Sequence, residues 1–242
     1  MISAIDRIVL GPPGRTYETL LGRRIDGDRV QTNNVALAFA GGSAPLSNLV
    51  LATPSLEKAR RLLERRAVAT AGIDVLCLAP AATHGVPISL VERQMQPAPS
   101  PTIAGEEAAI TALDHVVIRS PNPERAIAFY AGRLGLDLRL DRSSPAWSSR
   151  LLFFRCGDLV VEIAHDLGKG VSDGPDELWG LSWRAADLGK VHARLTAAGV
   201  EVSDIRDGRR PGSQVFTVKS HTEGVPTIVI AASAAGSECG SS

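Results

Sequence analysis

The stretch Ala4-Ile5-Asp6-Arg7-Ile8-Val9-Leu10 returns as Ala112-Leu113-Asp114-His115-Val116-Val117-Ile118. Both copies alternate an apolar residue with one pointing the other way, the period of a half-buried strand. An internal repeat constrains architecture before any local motif does, because each copy must fold into the same unit. It also sets two residues against each other: where the later copy has His115, the earlier has Arg7.

Two further strands align with this pair. Leu46 to Ala59 matches Leu113 to Ala126 without a gap, so Thr53-Pro54 falls on Ser120-Pro121 and Glu57-Lys58-Ala59 on Glu124-Arg125-Ala126. The proline stops the strand, and neighbouring Ser or Asn residues suit a helix N-cap. The fourth copy is Trp179 to Asp187, with Asp187 as N-cap. Apolar residues at helical spacing follow in 60–66, 126–130 and 191–195, and Gly132, Gly135 and Gly199 suit helix ends. The first copy is abbreviated, with only 17–21 before Gly22. Further strands are expected over 34–39, 88–91, 151–155, 159–164, 215–218 and 227–231. Four strand–helix–strands units therefore make an α+β protein. Residues 93–110, with Pro97, Pro99, Pro101 and Gly105, are read as a linker between a domain over 1–92 and one over 111–232. Residues 233–242, Ser- and Gly-rich, are read as a disordered tail.

Composition limits the function classes. The 242 residues are 44% hydrophobic, enough for one large core or two small ones. Lys plus Arg balance Asp plus Glu at 26 each, which argues against nucleic acid or anionic membrane as a partner. No apolar run is long enough to span a bilayer, and no signal peptide is read at the N-terminus. Cys77, Cys156 and Cys239 show no metal or redox spacing, and Cys77 and Cys156 are expected to be buried. A cytoplasmic protein is the simplest reading.

Leu113-Asp114-His115-Val116-Val117-Ile118, Phe129-Tyr130 with Leu134-Gly135-Leu136, and Leu159-Val160-Val161-Glu162-Ile163 resemble the vicinal oxygen chelate superfamily. This is the glyoxalase, bleomycin-resistance and extradiol-dioxygenase group. The resemblance covers 112–231 well, and the repeat extends it over 3–92. It implies four βαβββ modules forming two glyoxalase-like domains whose curled mixed sheets surround a cavity. It says little about the reaction, because unrelated chemistries share this scaffold.

In such proteins the metal ligands come from the first and last strands of each module and are His, Gln or Glu. Carried onto this chain, the first-strand positions are Arg7, Asn48, His115 and Gly180, and the last-strand positions Ala38, Ser89, Glu162 and, within a residue or so, Ile228. Only the third module keeps both a histidine and a carboxylate. His115 and Glu162 are thus the candidates for metal ligands (Fe, Mn, Zn or Ni) or for an acid–base pair. Against this, a lone histidine on an apolar strand is more often a hydrogen-bonded core residue, and a buried glutamate often pairs with arginine. If modules three and four share a cavity, two protein ligands remain. If modules two and three pair, Asn48 and Ser89 join them. Consecutive pairing is the usual outcome of short connections. By strand alternation Arg119 shares a face with His115, and Arg184 with Gly180 and Ser182. With Asn48 these two arginines are the candidates for binding a substrate, an anion in particular. Trp179 and Trp183 are expected to pack. No nucleotide-binding loop, serine elbow or Cys/His nucleophile stands out, so no nucleotide cofactor is expected.

Two function classes follow. The first is an enzyme, a lyase, isomerase or oxidoreductase of glyoxalase- or dioxygenase-like kind acting on a small oxygenated, anionic metabolite. The second is a sequestering protein of the drug-resistance type that holds a small molecule without converting it. The resemblance also implies a homodimer. A third reading makes the first half only a scaffold or dimer surface, so that deleting residues 1–100 should leave a soluble domain with its site intact.

Overall fold

The computed structural model describes residues 1–11, 14–93, 95 and 97–231. The first module runs β1 (Ala4–Leu10), α1 (Arg15–Leu21), β2 (Arg29–Gln31) and β3 (Ala36–Phe39). The second runs β4 (Leu46–Thr53), α2 (Leu56–Arg65), β5 (Thr70–Ala71), β6 (Val75–Leu78) and β7 (Ile88–Glu92). The third has β8 (Ile110–Arg119), α3 (Pro123–Ile127), β9 (Asp137–Ser144), β10 (Ser149–Cys156) and β11 (Leu159–Asp166). The fourth has β12 (Glu177–Ala185), α4 (Leu188–Ala197), β13 (Arg206–Asp207), β14 (Gln214–Val218) and β15 (Thr227–Ala231). The strand-stop-and-cap logic is visible at α2, α3 and α4. Ser55, Asn122 and Asp187 side chains accept hydrogen bonds from the N–H groups of Lys58, Arg125 and Lys190.

Modules pair consecutively. β1 lies antiparallel to β4 at the centre of a seven-stranded sheet, and β8 antiparallel to β12 at the centre of an eight-stranded one. In every module the last strand returns parallel to the first: β3 on β1, β7 on β4, β11 on β8 and β15 on β12. The α+β class and the mixed sheets are those expected from the repeats. Module three therefore faces module four, and Asn48 and Ser89 lie in the other sheet.

One face of each sheet is apolar and packed under helices. Ile118, Val161, Ile163, Trp183, Phe216 and Val229 anchor it in the second sheet. The opposite face carries His115 and Glu162. The second sheet curls around that face: Arg209, in the β13–β14 connection at one edge, sits with Cζ 4.8 Å from the ring centre of Trp147, in the β9–β10 connection at the other.

Buried polar side chains lock the two halves together. Arg23, fully buried, donates to the Ile110 and Ser100 carbonyls, and Arg194 donates to those of Ala108 and Leu20. Cys77 departs from expectation: it is exposed, because β6 alternates and turns it to the same side as Ser89, its register partner on β7. Cys156 is buried as expected. The tail at 233–242, with Cys239, lies outside the described residues. No described helix is long and apolar enough to cross a membrane.

Candidate functional site

The four first-strand positions are equivalent in register as well as in sequence. His115 pairs with Val160, and Glu162 lies two residues further along β11. Arg7 pairs with Ala36, two residues before Ala38. By the same registers Asn48 stands beside Pro87 and Gly180 beside Pro226, two residues before Ser89 and Ile228.

Each of these positions follows a β-bulge. On β8, Ser182 pairs with His115 but Trp183 with Leu113, leaving Asp114 as the extra residue. On β1, Ile5 pairs with Leu51 and Arg7 with Val50, leaving Asp6 extra. On the partner strands Ser47 and Trp179 are extra in the same way. A bulge turns the chain locally and re-aims the side chains beside it. Leu113 and His115, two residues apart, thereby face opposite ways: Leu113 is fully buried in the core and His115 keeps part of its ring exposed.

The bulge brings Asp114 against the next residue. Asp114 Oδ1 lies 2.9 Å from His115 Nδ1, and His115 Nε2 lies 3.3 Å from Glu162 Oε2. Burial opposes ionisation of Asp114, but the hydrogen bond and charge of His115, with Arg184 and Arg210, hold its carboxyl below the usual range. An ionised carboxylate only accepts, so Nδ1 carries the donated hydrogen and Nε2 is left facing Glu162. Burial pushes the Glu162 carboxyl up, and the opposing pull of His115 and Arg209 does not cancel it. Asp114, His115 and Glu162 thus form a row in which a proton can move between the imidazole and a poorly solvated carboxylate.

Two supports hold the row. Asn34, from the first half of the chain, pairs with both backbone groups of Leu113: Nδ2 donates to its carbonyl at 2.8 Å and Oδ1 accepts from its N–H at 2.9 Å. Arg184 Nη2 donates to the same carbonyl at 3.0 Å and to that of Asp158 at 2.8 Å, while Nε lies 3.2 Å from Asp114 Oδ2. Arg184 is therefore committed to the protein's own acceptors. Because Asn34 fastens the bulge, residues 1–100 are part of the site's construction, contrary to the scaffold-only reading.

The other candidates sit elsewhere. Arg119, at the exposed end of β8, lies over Trp179 with Cζ 3.9 Å from the ring centre. Asn48 Nδ2 donates to Ser89 Oγ at 3.0 Å in the first sheet, so it does not join His115 and Glu162. Trp183 is fully buried, as packing requires. Sequence reading missed Asp114, Asn34 and Arg209. The Asp-His order was in view, but alternation assigns the two residues to opposite faces, and only the bulge reverses that.

The donor set does not fit a resident divalent cation. His115 and Glu162 supply two ligands, Ile228 is apolar, and a Cβ on Gly180 would meet the Pro226 carbonyl oxygen at 2.9 Å, so no ligand side chain fits there. Among the described residues no three His, Cys, Asp or Glu side chains are grouped to hold a metal ion.

Comparison with known proteins agrees with the fold. Residues 114–217 match the family described as Glyoxalase/Bleomycin resistance protein/Dioxygenase superfamily. Over that segment, which includes Asp114, His115 and Glu162, the chain is similar to this family. Similar solved structures include a catechol 2,3-dioxygenase (TM-score 0.69, 16% identity, 96% of this chain and 88% of that one). BphC, a halotolerant catechol dioxygenase, aligns with TM-score 0.71 at 15% identity over 96% of this chain and 87% of its own. The methylmalonyl-CoA epimerase of Mycobacterium tuberculosis covers 50% of this chain and 88% of its own at 20% identity, with TM-score 0.44. At these identities the likeness shows the fold alone. No curated protein sequence matches the chain.

Proposed function

We propose that this protein is a cytoplasmic enzyme that moves a proton at a carbon beside a carbonyl group of a small oxygenated metabolite, using His115 and Glu162 as an acid–base pair. The observation that carries this reading is the Asp114–His115–Glu162 row, at 2.9 and 3.3 Å, with Glu162 partly buried and its carboxyl raised by desolvation. Asp114 fixes the imidazole tautomer. His115 and Glu162 act together as one acid–base pair. In its deprotonated state it takes the substrate's C–H proton, and the electron pair of that bond moves to the neighbouring oxygen as an enolate. Return of a proton to carbon completes exchange or epimerisation. The 3.3 Å contact is loosely aligned, as such pairs are before substrate binds.

The test is proton exchange at carbon. The full chain, incubated in D₂O with a panel of 2-oxo acids and β-dicarbonyl acids, is expected to speed deuterium entry at the acidic carbon of at least one, as read by proton NMR. E162Q should abolish that rate. Exchange that survives E162Q overturns the assignment.

A second reading, ligand sequestration without turnover, is favoured by Gly180 and Ile228 standing where two further polar groups would be. It predicts saturable binding of a small molecule with no exchange, and elemental analysis free of stoichiometric metal. A catalytic divalent metal in protein purified without chelator counts against both readings.

A further inference from the structure

The face that carries Glu162 is bordered by arginines. In the sheet, Arg142 pairs with Leu151, Leu151 with Ala164 and Ala164 with Arg119, a row across the strands beside the row Leu140, Phe153 and Glu162. Directly paired residues share a face. Arg142 therefore stands on the side of the site, one row away from Glu162. Its Cζ lies 5.7 Å from the ring centre of Trp147, and Arg209 meets the same ring at 4.8 Å.

Neither guanidinium forms an ion pair among the described residues, whereas their neighbours do. Arg139 pairs with Asp137 at 3.1 Å, and Arg150 with Asp141 and Glu124 at 2.7 Å each. An indole face holds a cation only weakly at an exposed site. A carboxylate held by two guanidiniums in fork geometry is a stronger and more specific partner. Beside this pair the face is apolar and open: Leu140 is 48% and Trp147 45% exposed, and the Phe153 side chain stands between Leu140 and Glu162.

We propose that Arg142 and Arg209, mounted on Trp147, form a carboxylate clamp for an organic acid whose apolar body lies on Leu140 and Phe153. The acidic carbon of such an acid then points toward His115 and Glu162, and that clause alone rests on the acid–base reading. The clamp closes where the two edges of the curled sheet meet. It also replaces Arg184, which the fold has already used, as the source of anion binding.

The experiment is calorimetric titration of the full chain with phenylacetate and with its neutral counterpart phenylacetamide. Saturable phenylacetate binding is expected, at least tenfold tighter than the amide and weakened by salt. R142Q and R209Q, both surface changes whose folding is checked by circular dichroism, should each weaken phenylacetate about tenfold and leave the amide unchanged. Equal affinity for acid and amide, unchanged affinity in both variants, or no saturable binding overturns the clamp. Binding and exchange fail separately. Carboxylate binding that needs both arginines, with no carbon exchange on any acid, leaves the clamp and removes the acid–base reading. Exchange with binding indifferent to both arginines does the reverse.

Discussion

In the first sheet Asp6 occupies the β1 bulge with Arg7 Nη1 2.7 Å from its carboxylate, and Arg93 joins at 3.1 Å. In the second, Asp114 occupies the matching β8 bulge with His115 Nδ1 at 2.9 Å, and Arg184 joins at 3.2 Å. The frame is the same, but the residue after the aspartate differs in one property. A guanidinium stays protonated at any accessible pH, so Asp6 and its two arginines make a closed electrostatic unit. An imidazole can release its proton, and its second nitrogen meets Glu162. At the equivalent place the first sheet has Asn48 bonded to Ser89, two neutral groups. The repeat thus teaches that the fold supplies a bulged cradle four times, and that the pairing of a titratable ring with a buried carboxylate occurs in one.

The sharpest way to break this comparison is to exchange its central residues for alanine one at a time. H115A should lower the rate of carbon exchange about 10²–10⁴-fold, the range for loss of a positioned acid–base group. R7A should leave that rate within twofold, because among the described residues no hydrogen bond or ion pair links Asp6–Arg7 to the row around His115. Equal losses in the two variants, measured on the same acid, would mean that the halves do not differ in the way described.

The next effect concerns what holds the cradle open. N34A leaves the buried N–H of Leu113 without its partner and removes one of two donors from its carbonyl. Loss of a partner for a buried backbone group costs about 1–3 kcal/mol. For a chain of this size that is a fall in Tm of about 2–12 °C. The variant should also shift the His115 ring proton resonances, since the bulge that aims the ring is no longer fastened. N34D keeps the acceptor but sets a buried carboxylate oxygen against the Leu113 carbonyl and the Asp158 carboxylate, which Asn34 Nδ2 meets at 2.8 and 3.0 Å, so it should be no more stable than N34A. A thermal melt with unchanged His115 resonances would reduce Asn34 to a packing residue.

The architecture was readable because it is written in repeats. Leu46 to Ala59 against Leu113 to Ala126 gave two modules their strand, stop and cap, and register equivalence at all four site positions follows from that alignment. What escaped was local geometry. A bulge has no fixed residue signature at Asp6, Ser47, Asp114 and Trp179, so period-two reasoning placed Asp114 away from His115. The apolar run around Cys77 suggested burial, but alternation on the short strand β6 turns it outward. Arg209 and Trp147 are brought together only by the curl of an entire sheet, which no window of sequence contains.

A third test uses pH. The folded state raises the Glu162 carboxyl, chiefly by burial, so the folded chain keeps a proton that the unfolded chain releases. That linkage is fully favourable below the ordinary glutamate range and is lost as pH rises through the raised folded value. Asp114 works in the opposite sense: its lowered carboxyl contributes stability that disappears as pH falls through its folded value. E162Q removes the first dependence and keeps the second. The Tm of E162Q relative to the parent should therefore rise as pH climbs above the ordinary glutamate range, and the difference should be smallest in acid. A difference independent of pH would mean that Glu162 is not held in a perturbed state.

The smallest expected effect lies in the first sheet, and it sharpens the comparison from the other side. Asn48 donates one hydrogen bond to Ser89 while its Oδ1 is buried without a partner. N48A gives up that neutral bond, worth about 0.5–1.5 kcal/mol, and at the same time relieves an unsatisfied acceptor that costs a comparable amount. The two terms oppose each other, so the net change in urea-unfolding stability should stay within about 1 kcal/mol of zero. Exchange at carbon should not change, since Asn48 sits in the sheet that carries no His–carboxylate pair. A large loss of exchange in N48A would place a second working site in the first sheet, and the division of labour between the two halves would have to be redrawn around it.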